Sequence, residues 1–261
     1  MGSETRWVAR LARIAFALVL AIVASSAFIR LSAGTPDASQ AAVEAVRVAH
    51  RVSASLAGLL VLLVAGLVVT RERSRRTDVV LAVATLAVML ALAWVGRYSG
   101  PDATSSVLLM NLAGGLALST LLWAVGARES STADESVAAD STPLALATFL
   151  VVALQCVTGA MTVTGYAKVG LAHHVFGAVA LGLCVWLAVR LGRSPANRRV
   201  GRAIIALAVL QAGLGLGALA FSLPLSLVLA HNIGAALLLA ALAQAVAQSR
   251  ASSDQMLPIF R

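Results

Sequence analysis

Eight apolar runs, each close to twenty residues long, limit what this chain can fold into. They cover approximately residues 12–32, 50–70, 78–96, 106–126, 144–163, 170–190, 202–221 and 224–246. About 20 consecutive apolar residues are what a helix needs to cross the hydrocarbon core of a bilayer. A helix also satisfies its own backbone amides where no water can. Composition agrees: 60% of the residues are hydrophobic and 12% are charged, about half the charge of an ordinary soluble domain. The expected fold is therefore an all-α integral membrane protein with eight transmembrane helices. The first run, within "RWVARLARIAFALVLAIVASS", has the basic start and late small residues of a secretory signal. Its length and the seven runs that follow favour a retained helix.

Charge fixes the expected orientation. Of the twenty basic residues, fifteen fall on one side of the membrane. They are Arg6, Arg10 and Arg13, the arginines of "RERSRR", Arg128, those of "RLGRSPANRRVGR", and Arg250 and Arg261. The other side holds Arg30, Arg47, Arg51, Arg97 and Lys168. The basic side is the cytoplasmic one, so both termini are expected in the cytoplasm of a multi-pass cell (inner) membrane protein. The formal charge of +9 thereby becomes a topology signal, and a nucleic-acid partner is not expected. The acidic, Ser-rich stretch "ARESSTADESVAADSTP" reads as a linker. It divides the chain into a bundle over 1–126, a linker over 127–143 and a bundle over 144–261. Cys156 and Cys184 lie inside apolar runs with no metal or redox spacing, as small hydrophobes.

An internal repeat picks out particular residues. The even-numbered spans all begin on the external side, and near their starts read "AHRVSA", "MNLAGG", "AHHVFG" and "AHNIGA". His50, Asn111, His173 and His231 occupy one register, each with Ala or Gly four residues on: Ala54, Gly115, Gly177 and Ala235. The spacing from His50 to Asn111 is 61 residues, and from His173 to His231 it is 58. Two four-helix bundles in tandem, with equal topology, follow from this pattern. His174 aligns with Arg51 and lies about 100° around the helix from His173.

An imidazole inside a bilayer needs partners for its nitrogens, and it marks a functional site by default. The small residue one turn along leaves room for a flat group beside the ring. His173 and His231 lie at similar depth on helices that run the same way. They can supply two axial ligands to a haem iron. The competing reading is a set of packing histidines bonded to backbone or hydroxyl groups, with the glycines explained by close helix contact. No Cys-x-x-Cys-His motif is present, so a haem would be held without covalent attachment.

The same residues resemble the haem A synthase family of cytochrome oxidase assembly enzymes. "FIRLSAGTPDA" is similar to that family's arginine segment, and "VAHRVSASLAGLL" to its first histidine helix. "LQAGLGLGALAFSLPLSLVLAHNIGAALLLA" is the closest match, and the likeness runs through nearly all eight spans. The resemblance implies two pseudo-symmetric bundles, with haem b (iron) held by His173 and His231 in the second. It also implies haem O as substrate at His50 in the first, oxidised at a ring methyl to haem A. Expected partners are the lipid bilayer, a haem O synthase that supplies the substrate, and the terminal oxidase under assembly. Homo-oligomer formation stays open. Arg30, Arg97 and Lys168 are candidate cations for haem propionates.

Two departures fall in the first half. Asn111 stands where the family has its second substrate-side histidine, and an amide is a poor iron ligand. Met110, its neighbour, faces another side of the helix. Arg47 stands where the family has a glutamate, one turn before His50, with Glu44 a further turn away as a displaced counterpart. The family's external cysteine pair is also absent. A haem A synthase-type oxidoreductase, with His50, Glu44 and Asn111 at its reacting centre, is thus the first expectation. A non-catalytic membrane haem protein, either a b-type electron carrier or a haem chaperone, is the second. A transporter ranks last, because such folds usually show inverted halves or broken helices.

Overall fold

The computed structural model describes residues 3–32, 39–71, 75–100, 103–128, 141–163, 169–222 and 224–255. Among the described residues lie eight long helices: α1 (Ser3–Ser32), α2 (Gln40–Thr70), α3 (Arg76–Gly96), α4 (Ser105–Arg128), α5 (Thr142–Val163), α6 (Gly170–Gly192), α7 (Arg198–Ala220) and α8 (Leu225–Gln255). Each is long and apolar enough to cross a membrane, and no strand occurs among the described residues. The all-α, eight-span expectation holds. Most of the expected linker, residues 129–140, lies outside the described residues.

Helix ends follow local chemistry. α2 starts ten residues before its apolar run, because Ser39 caps it through Oγ, which accepts from the Ala42 N–H at 3.2 Å. The intervening "QAAVEAVRVA" is rich in strong helix formers. At 31 residues, α2 is about 46 Å long, well beyond the hydrocarbon thickness. Its first turns carry Glu44 and Arg47 in a 3.4 Å ion pair on an exposed surface. The connection from α7 to α8 is short. Ser222 takes a left-handed φ of 59°, and Pro224 offers its carbonyl to the Leu227 and Val228 N–H groups at 3.1 Å. A left-handed residue just past a helix end stops it and turns the chain back.

Neighbouring helices close two rings. α1 packs on α2 and α4, and α3 on the same two; α6 packs on α5 and α7, as does α8. The rings share a seam in which α8 lies against α4 and α1. Leu116 of α4 belongs to the core around Cys184, Leu187 and Leu242. Reciprocally, Ala240 of α8 packs among Phe16, Val19 and Leu122. Leu59, Val80, Trp186 and Leu216 remain exposed on the outer helices, as a lipid-facing surface requires. Trp123 Nε1 donates to Gln244 Oε1 at 3.1 Å across the seam. At the α3 start and α4 end, Arg128 Nε meets Asp78 Oδ1 at 2.7 Å, with the side chains only 7% and 14% exposed.

Candidate functional site

The histidine of α6 sits on a glycine of α5. A Cβ added at Gly159 would stand 2.6 Å from His173 Cε1 and 3.0 Å from Nδ1. Only a bare backbone lets the imidazole approach so closely. His173 Nδ1 lies 3.1 Å from the Gln155 carbonyl oxygen. A carbonyl can only accept, so Nδ1 carries the proton and Nε2 keeps its lone pair. The Gln155 side chain in turn lies over Gly177, whose added Cβ would be 2.9 Å from Gln155 Nε2. Gln155 and its glycine four residues on thus hold both the ring and the helix that bears it.

α7 and α8 repeat the device. Gln211 precedes Gly215 by four residues, as Gln155 precedes Gly159. A Cβ at Gly215 would stand 3.2 Å from His231 Cε1. Gln211 Nε2 donates to the His231 carbonyl at 2.9 Å, and its Oε1 would be 2.5 Å from a Cβ at Gly234. His231 Nδ1 is buried with no hydrogen-bond partner, as are the Oε1 atoms of Gln155 and Gln211. His174 is exposed and directs Nδ1 to its own helix, 2.7 Å from the Gly170 carbonyl. The structure therefore separates the adjacent histidines as the register predicts.

The N-terminal ring holds His50 differently. Ser25 Oγ donates to the Ile22 carbonyl at 3.0 Å and lies 2.9 Å from His50 Nδ1. Asn111 Nδ2 donates to Ser99 Oγ beyond the end of α3. Met110 is 48% exposed and faces outward, as its position one residue along requires.

The remaining candidates separate. Arg30, near the end of α1, has its Nε and Nη2 buried with no hydrogen-bond partner. Arg97 stacks on Trp94, its Cζ 3.9 Å from the ring centroid, in an interfacial cation–π contact. Glu44 pairs with Arg47 on the exposed surface. Lys168 lies outside the described residues. Reading the sequence by the even helices alone misses Gln155 and Gln211. The repeated Gln-x-x-x-Gly on α5 and α7 was the signal available.

These residues fit a haem iron. Among the described residues no three His, Cys, Asp or Glu side chains cluster for a bare metal ion. What the fold offers instead is imidazoles on separate helices, one with Nδ1 anchored and one with Nδ1 buried and orphaned, each seated on glycine. A backbone acceptor behind a ligating histidine fixes its tautomer and orientation. A family model described as cytochrome oxidase assembly protein (COX15-CtaA) matches residues 167–243. That stretch runs from just before α6 into α8 and includes His173, Gln211, Gly215 and His231. The chain has no match among curated proteins.

Proposed function

We propose that this chain, whose match over residues 167–243 supports membership of the haem A synthase family, is a membrane oxidoreductase that converts haem O to haem A. The observation that carries this reading is the pair of glycine-seated histidines on α6 and α8, inside the matched stretch. His173 and His231 would hold haem b, His173 through the Nε2 that its Nδ1 bond to the Gln155 carbonyl leaves free. When bound, that group supplies one-electron chemistry at its iron. Gln155 holds the His173 ring by its carbonyl, and Gln211 holds the His231 backbone, so both ligands are oriented before the cofactor arrives.

In the N-terminal ring, His50 would receive the substrate haem, its ring oriented by Ser25. Arg30 brings unpartnered guanidinium nitrogens, which suit a propionate carboxylate. Arg97 and Lys168 are further cations for the same use. Glu44 would have to leave its pair with Arg47 before it could move a proton. The basic loops support a cytoplasmic position for both termini, with the histidines toward the outer face, in a bilayer that would be shared with a haem O synthase and the oxidase under assembly.

A second reading, a membrane haem carrier without catalysis, draws support from one observation. The substrate half presents Asn111, bonded to Ser99, where a second imidazole would stand. Expression with a haem O supplier, followed by extraction of membrane haems, decides between them. The oxidoreductase makes haem A, and His50→Ala abolishes it. A protein that carries haem b and yields no haem A is the carrier.

A further inference from the structure

The α3–α4 pair reproduces the register of α7–α8 with two members exchanged. Gln211 lies on Gly234, and four residues after Gln211 comes Gly215, the seat of His231. In the first half Leu92 lies on Gly114, where an added Cβ would be 2.6 Å from Leu92 Cδ2. Four residues after Leu92 comes Gly96. Asn111 precedes Gly114 by three residues, as His231 precedes Gly234, and each is the seventh residue of its helix. Leu92, Gly96 and Asn111 therefore stand for Gln211, Gly215 and His231.

The glycine is kept and the ring is not. A Cβ at Gly96 would meet nothing within 4 Å, whereas one at Gly215 would press on an imidazole. The amide of Asn111 is turned to Ser99, whose Oγ bonds the Val95 carbonyl at 3.4 Å. An amide nitrogen has no lone pair to give, and its oxygen is a hard donor poorly matched to haem iron. Met110 faces outward. His50 is the one residue in this ring's register that offers an imidazole nitrogen.

We infer that a haem in the N-terminal ring would be held through His50 alone, since Asn111 and Gly96 stand where the second half has His231 and Gly215, and that it would bind a small neutral ligand. This rests on the reading that the N-terminal ring takes a haem. A bis-imidazole iron is six-coordinate and resists added ligands, while one with a single histidine binds them. Carbon monoxide is the probe, applied to the full-length purified protein loaded with haem and followed by difference spectra and electron paramagnetic resonance. The expected wild-type result is one low-spin haem and one that binds carbon monoxide. His50→Ala removes the reactive haem and retains the low-spin signal. Asn111→His lowers carbon monoxide binding at least tenfold and adds a second low-spin signal. Placing Gly96→Val beside Asn111→His closes the glycine seat and prevents that second signal.

Two low-spin haems without carbon monoxide binding in the wild type overturn the inference, as does reactivity that survives both His50→Ala and Asn111→His. Should Asn111→His fail to fold, the wild type and His50→Ala decide alone. Haem A production without a reactive haem sinks this inference and leaves the proposed function standing. A reactive haem without haem A production does the reverse. A protein with haem only at His173 and His231 overturns both.

Discussion

The imidazole of His173 rests on the bare backbone of Gly159, so closely that a methyl group there would stand 2.6 Å from its Cε1. The ring cannot simply swing away, because its Nδ1 is bonded to the Gln155 carbonyl. Gly159→Ala should therefore lower the low-spin haem retained per protein about tenfold. Gly215→Ala, where the distance to His231 Cε1 is 3.2 Å, should cost about two- to threefold. Gly182→Ala, with nothing within 4 Å, is the control and should bind haem normally. If all three retain equal haem, the glycines do not seat the ligands.

The bond from Trp123 Nε1 to Gln244 Oε1 spans the seam between the rings. Side-chain hydrogen bonds within bilayers contribute on average about 0.6 kcal/mol and at most about 1.7. A double-mutant cycle of Trp123→Phe and Gln244→Leu, read by thermal unfolding in detergent, should give a coupling of about 0.5–1.5 kcal/mol. Additive single effects would mean that the seam is held by its apolar contacts alone.

Asp78 and Arg128 form a pair that is largely buried. Removing one partner leaves the other as an uncompensated charge, at a cost of about 3–5 kcal/mol. Arg128→Ala should therefore lower the unfolding temperature well beyond the error of the measurement. Arg47→Ala, which breaks the exposed pair with Glu44, should leave it nearly unchanged. Equal effects of the two substitutions would contradict the burial of the first pair.

Ser222 adopts a φ of 59° between α7 and α8. An L residue in that conformation costs roughly 1–2 kcal/mol, a cost serine already carries and a β-branched side chain exceeds. Ser222→Val should destabilise the protein, and Ser222→Gly should not. Unfolding temperatures of the two variants against wild type check the sign.

Much of this was legible in the residues themselves, for physical reasons. Hydropathy is local and bilayer thickness fixes span length, so eight runs became eight helices. The extra turns of α2 escaped hydropathy, which registers only what lipid surrounds, although Ser39 and the helix formers after it were in view. One histidine register across the even helices separated His173 from His174, because neighbouring residues on a helix point about 100° apart. The contact between Ser25 and His50 was not legible: the residues are 25 apart, and only the packing of α1 on α2 joins them. The pairing of Glu44 with Arg47, three residues apart on one helix face, was readable as a local ion pair. The resemblance instead drew Glu44 toward His50. Gln155 and Gln211 stood in plain sight on the odd helices, but a comparison of even helices could not register them.

The most direct measurement is the reduced-minus-oxidised spectrum of the purified protein with each histidine of the second half replaced in turn. His173→Ala and His231→Ala should each abolish the low-spin b-type signal, while His174→Ala retains it. A low-spin signal that survives His173→Ala or His231→Ala, or that disappears with His174→Ala alone, would contradict the assignment of His173 and His231 as the two haem ligands.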